Sequence, residues 1–367
     1  MQANSIADAS QLSLNEIKEM GVVSGPCISI LIPHNESSGQ SDFPLRLKHA
    51  LEKVKIALES AGVERTQSRH LLATLDDIAA DVRSTGQALA IYCAPEFCRA
   101  FHLSDAVEES VTVANHFYVK PLIPALQAER RFYVLALSLK HIRLLRCTED
   151  SSEEVELPTS VPTNAGNGGV NGAVFSTTPD DENHLEHLAH FYKQVSEGVT
   201  AFLRERADDS PMVIAGVDYE IACFRRVNVY PKLVQEGVHG APDSLKGGEL
   251  HKRALEAVRA FFETPFRTAL ARYEAVGEQR SSSTVKDIVK AAFDGRVLDL
   301  VLAAGTHYMG VFDDQTRNVK GHKQPVQGDE DLLNVAALQT LLHAGQVFIV
   351  PASQIPHGAP AIAIYRY

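Results

Sequence analysis

The chain has 367 residues, 45% hydrophobic and 22% charged, with a formal net charge of -11. That composition excludes a largely disordered chain, and the length allows roughly two or three domains at about 100–200 residues each. The acidic balance excludes a protein that coats nucleic acid through bulk charge, though not one with basic patches on one face.

The five cysteines, Cys27, Cys93, Cys98, Cys147 and Cys223, are scattered mostly through apolar runs with no Cys-x-x-Cys pair. They read as reduced core thiols, Cys98 included. The opening residues MQANSIADASQLSLNEIKEMG show no basic start followed by an apolar stretch. No apolar run reaches about 18 residues, so no membrane span is expected. A soluble cytoplasmic protein follows as the expectation.

A first α/β segment is expected over residues 1–126. PCISILIP, Pro26 to Pro33, is a short apolar strand closed by proline. After the polar turn HNESSGQSDFP, Leu45, Leu47, Ala50, Leu51, Val54 and Leu58 recur at helical spacing. A second helix covers Glu64 to Arg83. QALAIYCAP and FCRAFHL read as two strands joined at Pro95-Glu96, and ESVTVANHFYVKPLIPAL as a further extended segment. No catalytic constellation stands out here.

The second segment is expected over 127–278. RFYVLALS, HIRLLRCT and EEVELP are three short strands with tight connections, an antiparallel meander. A glycine-rich loop follows, 158–181, containing NAGNGGVNGAVF. Then comes a helix over Glu182 to Arg206 with the core stripe Leu185, Leu188, Tyr192, Val195, Val199 and Phe202. PMVIAGV is a fourth strand, parallel because a helix precedes it. A short strand near Val234 to Val238 and a long helix over Ser244 to Ala275 complete the order β-β-β-α-β-(α)-β-α. That is the element order of the ribonuclease H-like fold.

The third segment is expected over 279–367. Ser283 or Thr284 caps a helix that Gly295 ends. RVLDLVLAA and YMGVFD are strands, DQTRNVKGHKQPVQGDED is a charged loop, and Asp329 or Asp331 caps a helix to His343. QVFIVP and AIAIYRY are the last strands. Alternation of this kind predicts a three-layer α/β sandwich.

The candidate sites each have an ordinary structural explanation beside the functional one. GNGG matches neither G-x-G-x-x-G nor G-x-x-x-x-G-K-[ST], so no nucleotide cofactor is expected. His184, His187 and His190 in HLEHLAH lack the H-E-x-x-H pattern and read as a polar helix stripe, so no metal is expected. A two-metal nuclease needs carboxylates beginning on the first strand, and RFYVLALS has none, with Asp218 standing nearly alone. Basic residues gather in two places: Arg225 and Arg226 near Lys232, and Arg317, Lys320, His322 and Lys323 in the charged loop. Either solvated surface or phosphate contact accounts for them.

RFYVLALSLKHIRLLRCTEDSSEEVELP, PMVIAGVDYEIACFRRVNVYPKLV, VKDIVKAAFDGRVLDLVLAAG and DLLNVAALQTLLHAGQVFIVP together resemble the bacterial homologues of archaeal and eukaryotic class-one peptide-chain release factors, a group that includes the pelota-type rescue proteins. The resemblance implies three α/β domains, the central one ribonuclease H-like and the C-terminal one an α/β/α sandwich like ribosomal kink-turn-binding proteins. It implies ribosome, tRNA or rRNA as partners, no DNA, and Arg225, Arg226, Arg317, Lys320, His322 and Lys323 as RNA contacts. In classical release factors the loop before the first central helix carries Gly-Gly-Gln and promotes peptidyl-tRNA ester hydrolysis. Gly168 and Gly169 match the glycine pair, and Val170 stands where glutamine would be. A backbone N–H at Val170 still offers a donor to a developing oxyanion, so Gly168, Gly169 and Val170 are the candidate catalytic residues. Two alternatives stay open: a non-catalytic ribosome-interaction factor, and a small-molecule hydrolase with an inter-domain pocket where His and Asp converge.

Overall fold

The computed structural model describes residues 5–8, 12–23, 25–33, 43–82, 87–103, 107–128, 131–138, 141–164, 182–206, 208–245, 248–277, 279–313 and 315–367. The first segment runs β1 (Ser5–Asp8), α1 (Leu14–Gly21), β2 (Cys27–Ile32), α2 (Phe43–Ser60), α3 (Arg65–Asp81), β3 (Ala88–Ala94), β4 (Phe97–Leu103), β5 (Ser110–Ala114) and α4 (Ile123–Ala128). Its strands line up β1-β4-β3-β2-β5, antiparallel except where β1 meets β4. Side chains alternate across a strand, and here both faces are covered. Ile28, Ile30 and Ile32 of β2 face Leu47, Val54, Leu71 and Leu75 of α2 and α3. Cys27 and Leu31 belong to a different core. This explains why CISILI does not alternate with polar residues: its one polar side chain, Ser29, is buried and accepts from the Tyr118 N–H at 2.9 Å.

ESVTVANHFYVKPLIPAL is extended only over β5, and its end is helical. Pro121 and Pro124 each sit in the first turn of a short helix, where a missing N–H leaves no bond unmade.

The central segment, Arg130–Arg267, is a compact unit of its own. It runs β6 (Phe132–Ala136), β7 (Arg143–Cys147), β8 (Ser152–Val155), α5 (Glu182–Glu205), β9 (Met212–Gly216), α6 (Asp218–Val227), β10 (Val238–His239) and α7 (Glu249–Ala275), the unit's boundary falling within α7. The strand order is β10-β9-β6-β7-β8, with β7 antiparallel to both neighbours and β9 parallel to β6 and β10. That is ribonuclease H-like topology. Tyr133 and Leu135 pack under Leu188, Tyr192, Val195, Val199 and Phe202 of α5, while Phe132, Val134 and Ala136 face Leu250, Ala254 and Val258 of α7. Tyr230 points inward and donates its hydroxyl to the Ser210 carbonyl at 2.5 Å.

The third segment runs β11 (Ser281–Ser282), α8 (Val285–Phe293), β12 (Val297–Ala303), β13 (Met309–Asp313), β14 (Asn318–Gly321), β15 (Glu330–Asp331), α9 (Leu332–Leu342), β16 (Gln346–Val350) and β17 (Ala361–Tyr365). It builds a sheet β11-β17-β12-β16 and a smaller one β14-β13-β15. Gly295 follows α8 with φ 67°, the left-handed stop expected there. The expected charged loop contains β14. The Asp313 carboxylate accepts from the N–H groups of Gln315 and Thr316, and Arg317 takes φ 54°, which closes a hairpin onto β13.

Met1–Glu129 and Thr268–Tyr367 form the other compact unit. One continuous core runs from Ile17, Tyr92, Phe101 and Phe117 to Ile288, Leu300, Leu333 and Leu338. Helix α9 is apolar almost all round and buried accordingly. Its few polar residues grip the segment after β5. Asn334 accepts from the Lys120 N–H and donates to the Phe117 carbonyl, both at 2.9 Å. Asp331, the helix N-cap, accepts from the Leu333 and Tyr308 N–H groups at 3.1 Å and from Lys120 Nζ at 2.5 Å. The side chains of Lys120 and Asp331 are only 7% and 5% exposed. Among the described residues, no helix is long and apolar enough to cross a membrane.

Burial alone would raise the Asp331 carboxyl, but the His307 hydrogen bond and the Lys120 charge outweigh it and hold the group below the usual carboxylate range. A depressed carboxyl contributes stability that is complete above its unfolded value, about pH 4, and lost as pH falls through the folded value. Removing one partner of such a buried pair costs about 3–5 kcal/mol. Lys120→Met is therefore expected to cost about that much at pH 7 and progressively less below about pH 4, where Asp331 takes up a proton. Urea unfolding followed by circular dichroism across pH measures this, since the chain has no tryptophan. A pH-independent loss would contradict it.

Candidate functional site

The glycine loop leaves the central sheet after β8 along a built stem. The Val161 N–H bonds the Pro158 carbonyl at 2.9 Å, and the Ile142 N–H bonds the Thr163 carbonyl at 2.6 Å. Val161 is 2% exposed and packs into the core under α5. It can do so because residue 198 of α5 is glycine: a Cβ there would lie 2.7 Å from Val161 Cγ2. The candidate catalytic residues Gly168, Gly169 and Val170 lie outside the described residues. On α5, His187 and His190 are exposed. Among the described residues, no group of three His, Cys, Asp or Glu side chains is arranged to hold a metal ion.

Asp218 does have a neighbour that its sequence context hid. Its Oδ1 lies 2.6 Å from Nδ1 of His239, the last residue of β10, and both side chains are exposed. The first strand, β6, carries no carboxylate.

The six expected RNA contacts differ in how free they are. Arg225 is half-buried near the end of α6 and donates to the Gln235 carbonyl, while Arg226 beside it is exposed. Lys320 on β14 and Lys323 just after it are exposed. Arg317 pairs with Asp294 at 3.2 Å, its guanidinium 6.0 Å from the centre of the Phe293 ring. His322 Nδ1 meets the buried Asp329 carboxylate at 2.7 Å.

A cleft of about 540 Å³ lies within the unit formed by the first and third segments. Three consecutive acids, Asp329, Glu330 and Asp331, each meet a different histidine: His322, His116 at 3.0 Å and His307 at 3.0 Å. Its walls include Leu31, Val111, Val113 and Ile349. Among the described residues, Glu108, Glu109, Asp329, Glu330 and Asp331 line it with Lys120, and Glu109 is also paired with Arg46 at 2.9 Å and Lys53 at 3.2 Å. The capping role of Asp331 was readable from DEDLLN. The histidines that converge on this acidic run lie far apart in sequence, and no local pattern marks them.

Residues 131–296 match the model of bacterial archaeo-eukaryotic release factor family 3. Over those residues, just under half of the chain, the protein resembles the bacterial archaeo-eukaryotic release factors. The matched span takes in the whole described central unit, with the stem of the glycine loop, and continues through α8. No protein of curated function matches the chain. Among solved structures, it is similar to the archaeal translation termination factor aRF1, at 15% identity over 97% of this chain and 99% of that one, TM-score 0.28. It is also similar to Dom34 of S. cerevisiae, a translation termination-like factor, at 9% identity over 78% and 75%, TM-score 0.39. Pelota of Archaeoglobus fulgidus matches at 13% identity over 78% and 81%, TM-score 0.31.

The stem of the glycine loop makes a prediction. Glycine to alanine inside a helix normally gains about 1 kcal/mol, whereas forcing a methyl into a packed site costs about 1–3 kcal/mol. Gly198→Ala is expected to destabilise the protein, because the methyl meets the buried Val161. In a Val161→Ala background the same substitution should become stabilising by about 1 kcal/mol. A double-mutant cycle by urea unfolding checks the change of sign.

Proposed function

We propose that this protein is a translation-associated factor of the release and rescue type. It acts in the cytoplasm, binds the ribosome or tRNA, and uses the glycine loop 158–181 as its working end. The observation that supports this most is the loop's position. It leaves the third strand and enters the first helix of a ribonuclease H-like unit, inside the span that matches a release factor family. Gly168 and Gly169 let the backbone approach an ester closely, and the Val170 N–H supplies a donor to the oxyanion of a tetrahedral intermediate. With no glutamine side chain at residue 170, the remaining proton transfers fall to the bound substrate. Arg226, Lys320 and Lys323 are the exposed phosphate contacts in this reading, with Arg225, Arg317 and His322 holding intramolecular partners behind them.

Purified protein is incubated with peptidyl-tRNA, free and on stalled ribosomes, and both release and co-sedimentation are measured. Release that is abolished by Gly168→Ala/Gly169→Ala supports chemistry at the loop. Release unchanged by that pair removes it, and a wild type that neither releases peptide nor sediments with ribosomes defeats the reading as a whole. Lys320→Ala and Lys323→Ala should weaken binding and each lower the slope of log affinity against log salt by about 1.

The acidic cleft favours a second reading, a hydrolase for a small molecule. A hydrolase needs a nucleophile beside a base, and Ser110 and Thr112 line the cleft with His116 and His307. The two readings separate on one measurement. His307→Ala and Glu330→Gln should leave peptidyl-tRNA release and ribosome binding unchanged if the glycine loop does the work.

A further inference from the structure

Strands β3 and β4 are joined by the two-residue turn Pro95-Glu96, and their register makes Cys93 and Cys98 direct cross-strand partners, one step in from the Ala94–Phe97 pair that flanks the turn. Directly opposed residues share a face of the sheet, with Cα atoms about 4.5–5.5 Å apart. That falls inside the span a disulfide bridges, about 4.4–6.8 Å. Both side chains do lie on one face. Cys93 is fully buried in the core beneath α2 and α3, and Cys98 packs against that core half-buried. The two thiols are free and within hydrogen-bonding reach of each other. The other cysteines are placed differently. Cys27 lies in the opposite core and donates to backbone carbonyls of Gly25 and Asn115, while Cys147 and Cys223 belong to the central unit.

We propose that Cys93 and Cys98 form a reversible thiol–disulfide site that staples the β3–β4 hairpin when a hydroperoxide is present. The hydrogen bond to Cys93 and burial hold the Cys98 thiol above its usual range, so Cys98, the more exposed, attacks the peroxide slowly, through its small thiolate fraction. Its sulfur takes one oxygen as sulfenic acid, the O–O bond breaks, and the alcohol or water of the peroxide leaves with the proton. The Cys93 sulfur then attacks the sulfenic sulfur. The S–S bond forms, the S–O bond breaks, and water departs. Two thiols lose two electrons in all, and one hydroperoxide is reduced. A dithiol reductant reverses the change by thiol–disulfide exchange. The consequence reaches past the hairpin, because β3 and β4 sit inside the first sheet between β1 and β2.

The test uses the full chain, folded, treated with hydrogen peroxide and then denatured for thiol counting and peptide mapping. The untreated protein should show all five thiols. The treated protein should show two fewer, with a mass lower by two hydrogen atoms, a crosslinked peptide joining Cys93 to Cys98, and a urea midpoint shifted upward. Dithiothreitol should restore the thiols. Cys98→Ser should keep its remaining thiols under the same treatment. An unchanged thiol count, a bridge through any other cysteine, or Cys98 oxidised to sulfinic acid without a crosslink would overturn the proposal. The wild-type peptide map decides the matter even if the serine variant fails to fold.

Discussion

The grip of α9 on the segment after β5 is the contact on which the larger unit depends. A helix that is apolar on every side has no polar face to tell it how to rotate, and burial alone would accept several settings. Asn334 and Asp331 remove that freedom. Among their partners are backbone groups at Phe117 and Lys120 and the Lys120 ammonium, these more than two hundred residues away in sequence. A buried ion pair adds little net stability compared with well-packed apolar groups, and its best-attested use is to set register. Here it sets the register between the first segment and the third, which share one core although the chain makes a whole compact unit between them.

That arrangement explains what could be read from sequence and what could not. Local pattern gave the α5 stripe, the order of elements along the central segment and a cap at Asp329 or Asp331, because each depends on residues within a few positions of one another. The stop at Gly295 was legible for the same reason. The grip on Lys120 was not, since YVKPLIP presents an ordinary lysine and only the fold carries it to Asp331. Strand β14 was hidden because NVKG has one apolar residue, Val319, too few to alternate. Counting cysteines for Cys-x-x-Cys missed the pairing of Cys93 with Cys98, which comes from hairpin register and leaves no spacing signature of that kind.

Charge divides the molecule into surfaces with different prospects. An overall charge of -11 leaves any contact with RNA to local groups. Of the six basic residues singled out, Arg225, Arg317 and His322 already have partners inside the fold, and drawing them to a phosphate would mean giving those up. The acidic cleft is the reverse case. Its carboxylates are engaged by histidines, a lysine and backbone N–H groups, which suits a structural role for the acid–histidine pairs as well as it suits a ligand site.

The glycine loop places the heaviest demand on its surroundings under the release-factor reading. A glutamine side chain at the tip could adjust its own rotamer to reach a reacting atom. With valine at residue 170, the reading rests on the backbone N–H there, whose position is set by the chain on either side. A donor misplaced by about 1 Å can lose catalysis on the order of a hundredfold. The described part of the stem is built to resist such error. Val161 is buried against the bare backbone of Gly198, the Thr163 carbonyl is bonded to the β-sheet side at Ile142, and α5 is held along its length by the stripe from Leu188 to Phe202. Glycine at residue 198 weakens the helix and in exchange leaves room for Val161, so the start of the loop is seated against α5.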